Sequence, residues 1–590
     1  MQTETAMAKR ALGLLMTVLA LTGCVAEMDS PDGIDEVGLV PGGKADGSDY
    51  GACELGAVVD WLNEGPSVDT LKEAGVHTRA ARNLVAHRDG EDGVFGTADD
   101  DLFDDIREVD DVSWVGPVAL RQLVEARADV CAAAPAAAEV IFSPQAYDES
   151  HLARMVELID ASERSIDIAM YSYRDGAIGD ALERAVARGV TIRMIFEKAN
   201  DDRRDPAGTA SARLEDAGIE VRYVNKIMHH KFAIFDGPRA DLGYADEATL
   251  ASGSGNWSNS AATRYDENTL ITVGNAELNL RFQREFNHLW DHGRHFVWNE
   301  SIETVPHVAI TDADIPDDPA VDAIFTSANF RTYDSSRYGP TFSVIRGENE
   351  VSDRWVELIR GARRSIRIAS GHLRSRPISE ALIEAARANP ELDVRVYLDG
   401  QEYLSEWGHD AQERDLEACL MDAAGSDART QDCMDRGFLF SYQLHQEGVP
   451  VRFKYYAYRW DYSYAEQMHH KYMVVDDEIL ITGSYNLSDN AEHNTMENDT
   501  VLRGPAFQGV IDAYIDNFDA LWVTGEELGL FASLMDEIET GAGDFPIVFD
   551  AMALDWDQVT ALKQTIRDHC PLINSAEYRE NAARHRYCDR

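Results

Sequence analysis

Two stretches of this 590-residue chain repeat one another, and that repetition constrains the fold more than any other feature. Val156-Glu157-Leu158-Ile159 recurs as Val356-Glu357-Leu358-Ile359, and Ser165-Ile166-Asp167-Ile168-Ala169 as Ser365-Ile366-Arg367-Ile368-Ala369, both at an offset of 200. Each copy continues into a helical stretch (around Ala181-Leu182 or Ala381-Leu382) and then an apolar strand, Val190 to Phe196 or Val394 to Leu398. Strands alternating with helices predict an α/β fold: two repeated α-β-α domains, each with a largely parallel sheet, related by a pseudo-two-fold axis. At Gly218 and Gly448 the offset has grown to 230, so the second copy carries an insertion over roughly 400–436 that contains Cys419 and Cys433.

Both copies carry the same polar constellation. The first has Met228-His229-His230-Lys231 with Asp236, then Gly253-Ser254-Gly255-Asn256-Trp257-Ser258 and Glu267-Asn268. The second has Met468-His469-His470-Lys471 with Asp476, then Gly483-Ser484-Tyr485-Asn486-Leu487-Ser488 and Glu497-Asn498. Residues two apart on a strand share a face, so His229 projects with Lys231 and His469 with Lys471, while His230 and His470 point the other way as structural residues. Two copies brought together place two imidazoles and two ammonium groups in one pocket. Lysines supply fixed positive charge for phosphate oxygens, and Ser254, Asn256, Ser484 and Asn486 can add hydrogen bonds. Neutral imidazole is a nucleophile at phosphorus, and imidazolium is a general acid suited to neutral pH. Such a site makes and breaks phosphodiesters without a metal, and no cofactor is expected.

The doubled His-x-Lys-x4-Asp and Gly-Ser-x-Asn pattern resembles the phospholipase D superfamily, over about residues 137–530. The resemblance implies that His229, Lys231, Asp236, His469, Lys471 and Asp476 form the catalytic motifs. One histidine would form a phosphohistidine intermediate and the other would protonate the leaving alcohol and then activate water. His229 is expected to be the nucleophile and His469 the acid and base. Glu267 and Glu497 are placed to accept a hydrogen bond from the imidazole of the opposite motif and fix its tautomer. Asp236 and Asp476, by position, read as turn or scaffold residues. The expected activity is phospholipid hydrolysis or head-group transfer. A metal-independent nuclease is the alternative, since His-His-Lys and Gly-Asn-Trp-Ser also resemble the superfamily's small nuclease branch. A silent scaffold would not need both motifs intact.

The domain order follows from composition. Residues 1–23 read as a signal peptide, with Lys9-Arg10 before the apolar run Ala11 to Thr22, too short to cross a bilayer. Leu21-Thr22-Gly23-Cys24 resembles the bacterial lipobox, which implies lipidation of Cys24 and an exported chain anchored at the cell envelope. Residues 24–49 form a polar tether, 50–133 a helical domain, 137–305 and 320–530 the two repeats, and 531–590 a helical tail. Within 50–133, residues 102–120 resemble a helix-hairpin-helix unit, and 76–81 a degenerate second one. Six further cysteines suggest the pairs Cys53–Cys131, Cys419–Cys433 and Cys570–Cys588.

A formal charge of −51 repels polyanions, and residues 51–130 alone hold 18 acidic and 7 basic side chains, so nucleic acid is not the expected partner. The expected partners are phospholipid substrate and the membrane that the anchor reaches, and the protein is expected to be a monomer. The loop Asp89 to Asp101 could hold a structural Ca²⁺ through hard oxygen ligands. The segment Lys454 to Tyr464, with five tyrosines, Trp460 and two cations, could form an aromatic lip at the site.

Overall fold

The computed structural model describes residues 52–127, 138–298, 304–456, 465–540 and 549–569, except 91, 98 and 104, together with the single positions 302 and 576. The signal peptide, Cys24 and the tether lie outside them, as do 457–464 of the aromatic segment. The chain divides into two units, one ending at Pro135 and the other starting at Ala136.

The first unit contains α1 (Ala52–Asn63), α2 (Val68–Glu73), α3 (Thr78–Arg88), α4 (Ile106–Asp111) and α5 (Pro117–Glu125). Their starts are written in the sequence: Ser67 caps α2, Asp105 caps α4 by accepting from the Arg107 and Glu108 amides, and Pro117 opens α5. The helices surround a core that includes Leu62, Leu84, Val109 and Leu123, with α2 packed on α3, and α4 and α5 each packed on α1. In the acidic loop, Asp92, Asp99 and Asp100 accept from the backbone amides of Val94, Asp92 and Gly96. Among the described residues, the donors that converge as a metal would need are His87, Asp101 and Glu108.

The second unit is built on two eight-stranded sheets. The first comprises β1 (Ala138–Ser143), β2 (Ser165–Met170), β3 (Thr191–Phe196), β4 (Glu220–Tyr223), β6 (Lys231–Phe235), β7 (Thr249–Gly253), β8 (Glu267–Val273) and β9 (Arg294–His295), in the order β1-β8-β7-β6-β2-β3-β4-β9. The short β5 (Ile227–Met228) precedes β6. After β10 (Val321–Phe325) and a hairpin of β11 (Phe330–Ser335) and β12 (Gly339–Val344), the second sheet repeats the plan. Its strands are β13 (Ser365–Ser370), β14 (Asp393–Asp399), β15 (Val451–Tyr455), β16 (Lys471–Val475), β17 (Ile479–Gly483), β19 (Asn498–Arg503) and β20 (Met552–Asp555), ordered β10-β19-β17-β16-β13-β14-β15-β20. β18 (Thr495–Met496) lies just before β19.

The sheets are mixed, which corrects the largely parallel expectation. Within these two sheets, among the described residues, only β2-β3-β4 and β13-β14-β15 pair in parallel; the other neighbours are antiparallel. A parallel return needs a crossover of a dozen or more residues, which the helix Gly176–Arg188 provides between β2 and β3. β16 and β17 are separated by three residues and can only form a hairpin. The tail is corrected as well. Between the helices Leu530–Thr540 and Trp556–Asp568 it contains β20, which closes the second sheet against β15 as β9 closes the first against β4. Met552 and Leu554 enter one core and Ala553 the core on the other face, the alternation of a strand.

The helices Ala276–Asp291 and Gln508–Trp522 lie in the seam between the sheets. Phe282, Phe286, Trp290, Tyr514 and Phe518 are buried there with residues of both repeats. Burying each such side chain contributes roughly 1.5–3 kcal/mol, so the two halves share one core. The insertion forms the helices Glu406–Ala423 and Asp427–Met434, stapled by the expected Cys419–Cys433 disulfide. The other two proposed pairs involve cysteines outside the described side chains.

Candidate active site

Each histidine reaches the centre by crossing into the other half. β5 pairs in parallel with β18, and the His229 amide donates to Met496 O at 3.1 Å. Reciprocally, Met468 bridges Asp266, and the His469 amide donates to Asp266 O at 3.0 Å. The side chains repeat the exchange: His229 Nδ1 lies 2.8 Å from Glu497 Oε2, and His469 Nδ1 2.8 Å from Glu267 Oε2. With Nδ1 committed, Nε2 is the atom each ring keeps for chemistry. Lys231 Nζ donates to His229 O at 2.6 Å, and Lys471 Nζ to His469 O at 2.6 Å, so the ammonium groups occupy matching places.

The Gly-Ser-x-Asn loops hold this frame. A Cβ at Gly253 would stand 2.4 Å from Asn268 O, and one at Gly483 2.0 Å from Asn498 O, so both turns exclude a side chain. Ser254 Oγ accepts from the Asn268 amide (2.9 Å) and Ser484 Oγ from the Asn498 amide (3.0 Å), while Ser484 also donates to Glu497 Oε2 (2.7 Å). Among the described residues, the buried Oδ1 atoms of Asn256 and Asn486 have no partner. His230 and His470 sit behind the centre, on Asn498 and Asn268.

Asp236 and Asp476 are not part of the centre. They follow the far ends of β6 and β16 in a left-handed conformation (φ 53° and 55°). Each accepts three backbone amides, from Glu163, Arg164 and Ser165 or from Arg363, Arg364 and Ser365. They pin each motif strand to its neighbour and corner the chain, which corrects their grouping with the catalytic residues.

Electrostatically the site is dominated by burial. It pushes His229 down to about 4 and His469 well below its ordinary value, so both rings are neutral when the pocket is empty. Burial also pushes Lys231 down to about 7 and Lys471 to about 8. The two carboxylates differ. Burial pushes Glu267 up to about 7, and its Oε1 has no partner among the described residues. Burial acts on Glu497 in the same direction, but His229, Lys231 and Ser484 outweigh it and hold this carboxyl below its usual range. Thr495 completes it by donating to Oε1 at 2.7 Å. Position 265, the counterpart of Thr495, is Tyr.

Several contributors were not singled out from sequence. Tyr171 packs edge-on against His229 with ring centroids 4.7 Å apart, and Lys231 Nζ lies 5.0 Å from its ring. Glu197 and Asp399 accept the amides of Met228 and Met468, holding the strands that deliver the histidines. Lys454, expected at a lip, is instead buried in an ion pair with Asp266 at 2.8 Å. The repeat does not flag Tyr171, because its counterpart is Gly371.

The model of the family described as "Cardiolipin synthase, PLD-like domain" matches residues 155–290 and 355–522, together just over half of the chain. The chain belongs to this phospholipase D-like family. The mitochondrial cardiolipin hydrolase of Chlamydomonas reinhardtii is 30% identical over 142 residues, 24% of this chain and 57% of its own length. The human protein of that name is 31% identical over 147 residues, 25% of this chain and 53% of its own length. The chain thus spans little more than half of these relatives. Among solved structures, Nuc of Salmonella typhimurium, a phospholipase D family member, shares 26% identity over 27% of this chain and 96% of its own, with a TM-score of 0.22. The phosphatidylserine synthase of Haemophilus influenzae shares 13% over 64% of this chain and 85% of its own, with a TM-score of 0.40.

Proposed function

We propose that the protein is a phosphodiesterase that hydrolyses phospholipids, or transfers their head groups, through a phosphohistidine on His229. The observation that carries this reading is the reciprocal pairing of His229 with Glu497 and of His469 with Glu267, around two lysines. The lysines bind the phosphodiester monoanion, which restores the charge that burial weakens. His229 Nε2 forms a bond to phosphorus while Nδ1–H stays on Glu497, a firm anion that supports the growing positive charge. The bond from phosphorus to the leaving oxygen breaks, and that oxygen takes the proton of His469 Nε2. Glu267, protonated in part near neutral pH, replaces it through Nδ1. His469 Nε2 then accepts a proton from water as water attacks phosphorus and His229 departs. The inequality of the two glutamates supports this order of roles.

A phospholipid substrate draws support from the relatives named for cardiolipin hydrolysis and from the net charge of −51, which opposes DNA. Lipidation of Cys24 at a bacterial envelope would keep the enzyme on its substrate's surface. The chemistry is metal-independent, since the lysines provide the charge that a cation would supply.

The test is trapping. His469→Ala, exposed to phospholipid vesicles, should accumulate a phosphorylated form mapped by mass spectrometry to His229. A phosphoryl group found on His469 in His229→Ala, and never on His229, would reverse the roles. Cleavage of single-stranded DNA with inert vesicles would replace lipid by nucleic acid while leaving the two-histidine chemistry in place.

A further inference from the structure

The β11–β12 hairpin lies between the two repeats in sequence, and the catalytic reading makes no use of it. Its inner face is anchored. Phe342 is buried, and its backbone exchanges two hydrogen bonds with the Asn225 side chain (2.6 and 3.0 Å). Arg294 donates to Pro340 O at 2.8 Å, and Lys226 Nζ lies 4.9 Å from the Phe330 ring. Asn225 and Lys226 immediately precede β5, three to four residues before His229. The hairpin is therefore fixed to the segment that delivers His229.

Its outer face has a different character. The register pairs Arg331 with Ser343 and Tyr333 with Thr341, and the Ile345 amide returns to Asn329 O, so Arg331, Tyr333 and Ile345 share the face opposite Phe342. Tyr333 is 50% exposed, Tyr338 near the turn 58% and Ile345 36%. Arg331, Arg337 and Arg346 are exposed as well, and Arg337 lies over the Tyr338 ring at 5.0 Å. Residues 330–346 hold these three arginines against one carboxylate, Asp334, in a chain with about two acids for every base. Among the described residues none of the three arginines has an ion-pair partner.

We propose that this hairpin docks the enzyme on an anionic phospholipid surface and presents that surface to the active site. The inference rests on the lipid reading above and extends it to the mode of approach. Charge complementarity selects the occupant: a basic residue near an anionic bilayer contributes about 1 kcal/mol, and tyrosine rings favour the boundary between head groups and acyl chains. Ile345 gains from an acyl boundary and offers nothing to a nucleobase. The net charge of −51 opposes a long polyanion approaching the whole molecule, whereas a lipid layer needs to touch only the hairpin and the pocket mouth.

The test uses the full chain carrying Cys24→Ser, so that no acyl group contributes to binding. Pelleting with phosphatidylglycerol vesicles is compared with pelleting on phosphatidylcholine, for this protein and for Arg331→Glu/Arg337→Glu and Tyr333→Ser/Tyr338→Ser. The double variants should need at least about tenfold more phosphatidylglycerol for half-maximal binding, with the arginine effect shrinking at high salt. Turnover of bis(p-nitrophenyl) phosphate, which needs no docking, should stay within about twofold of the parent. Unchanged pelleting in both variants would overturn the proposal. So would weakened binding of a single-stranded oligonucleotide with vesicle binding intact, which would assign the hairpin to nucleic acid. Pelleting requires no catalysis, so a parent protein inert on every diester would sink the catalytic reading without deciding the fate of the hairpin.

Discussion

A lysine shut away from water gives up its proton readily unless an anion stands beside it. Lys231 and Lys471, at about 7 and 8, are poised between the two states. A bound phosphate analogue stabilises the charged forms, so above the empty-site values binding must be accompanied by proton uptake. Tungstate affinity should be flat below about pH 6 and then fall, approaching tenfold per pH unit for each lysine once both values are passed. Calorimetry across buffers of different ionisation enthalpy measures the uptake directly. Affinity independent of pH would mean the lysines do not face the anion. The histidines belong to the same scale. His229→Ala and His469→Ala should each lower turnover at least ~10²-fold with melting unchanged. Because Glu267 lies near 7, turnover should decline as pH rises through about 7 and deprotonates it. Glu267→Gln should abolish that limb, whereas Glu497→Gln should lower the rate and leave the limb in place.

At the scale of elements, the motif strands were legible because His229, Lys231, Gly253, Ser254 and Glu267 recur with fixed chemistry in the second half. The mixed sheet was not, because local alternation of helix and strand says nothing about which way the chain returns. β20 was hidden for a related reason: four residues, Met552 to Asp555, carry too little period to stand out between two helices. Gly253 follows Asp236 by 17 positions but Gly483 follows Asp476 by only 7, so the first copy carries about ten extra residues, a spacing that does not disclose their role. From them Arg239 runs inward to Asp167, donating to both carboxylate oxygens (2.6 and 3.1 Å), beside Arg193, which pairs with the same carboxylate. The Arg193 and Arg239 guanidinium groups outweigh burial and hold the Asp167 carboxyl far below its ordinary value. The counterpart of Asp167 is Arg367, so the repeat gave no hint of this cluster. Removing one partner of a buried charge network costs about 3–5 kcal/mol. Arg239→Ala should therefore lower the denaturation midpoint while the surviving folded fraction keeps its turnover number. A midpoint within error of the parent would show that the loop is held by other contacts.

For the whole molecule, the net charge of −51 and the proposed anchor at Cys24 should together decide which phosphodiester arrives. Purified protein should retain activity in EDTA, and loss that one divalent ion restores would overturn the metal-independent chemistry. The melting temperature followed in the same sample would separate this from a structural cation at His87, Asp101 and Glu108. At physiological salt, turnover on phospholipid vesicles should exceed turnover on single-stranded DNA. Converting Cys24 to Ser should slow vesicle hydrolysis more than hydrolysis of a short soluble diester, and equal slowing would remove the anchor from the account.

The crossing of each histidine to the other half's glutamate bears on descent as well as mechanism. Neither copy owns a complete catalytic unit: His229 is oriented by Glu497, and His469 by Glu267. A lone half could have worked only by meeting its twin, so the ancestor implied by this arrangement is a pair of identical chains sharing one centre. Within one chain the two sides are free to differ, as Thr495 opposite Tyr265 and Tyr171 opposite Gly371 do. Joining also ties their fates together, because a lesion in either motif should silence both.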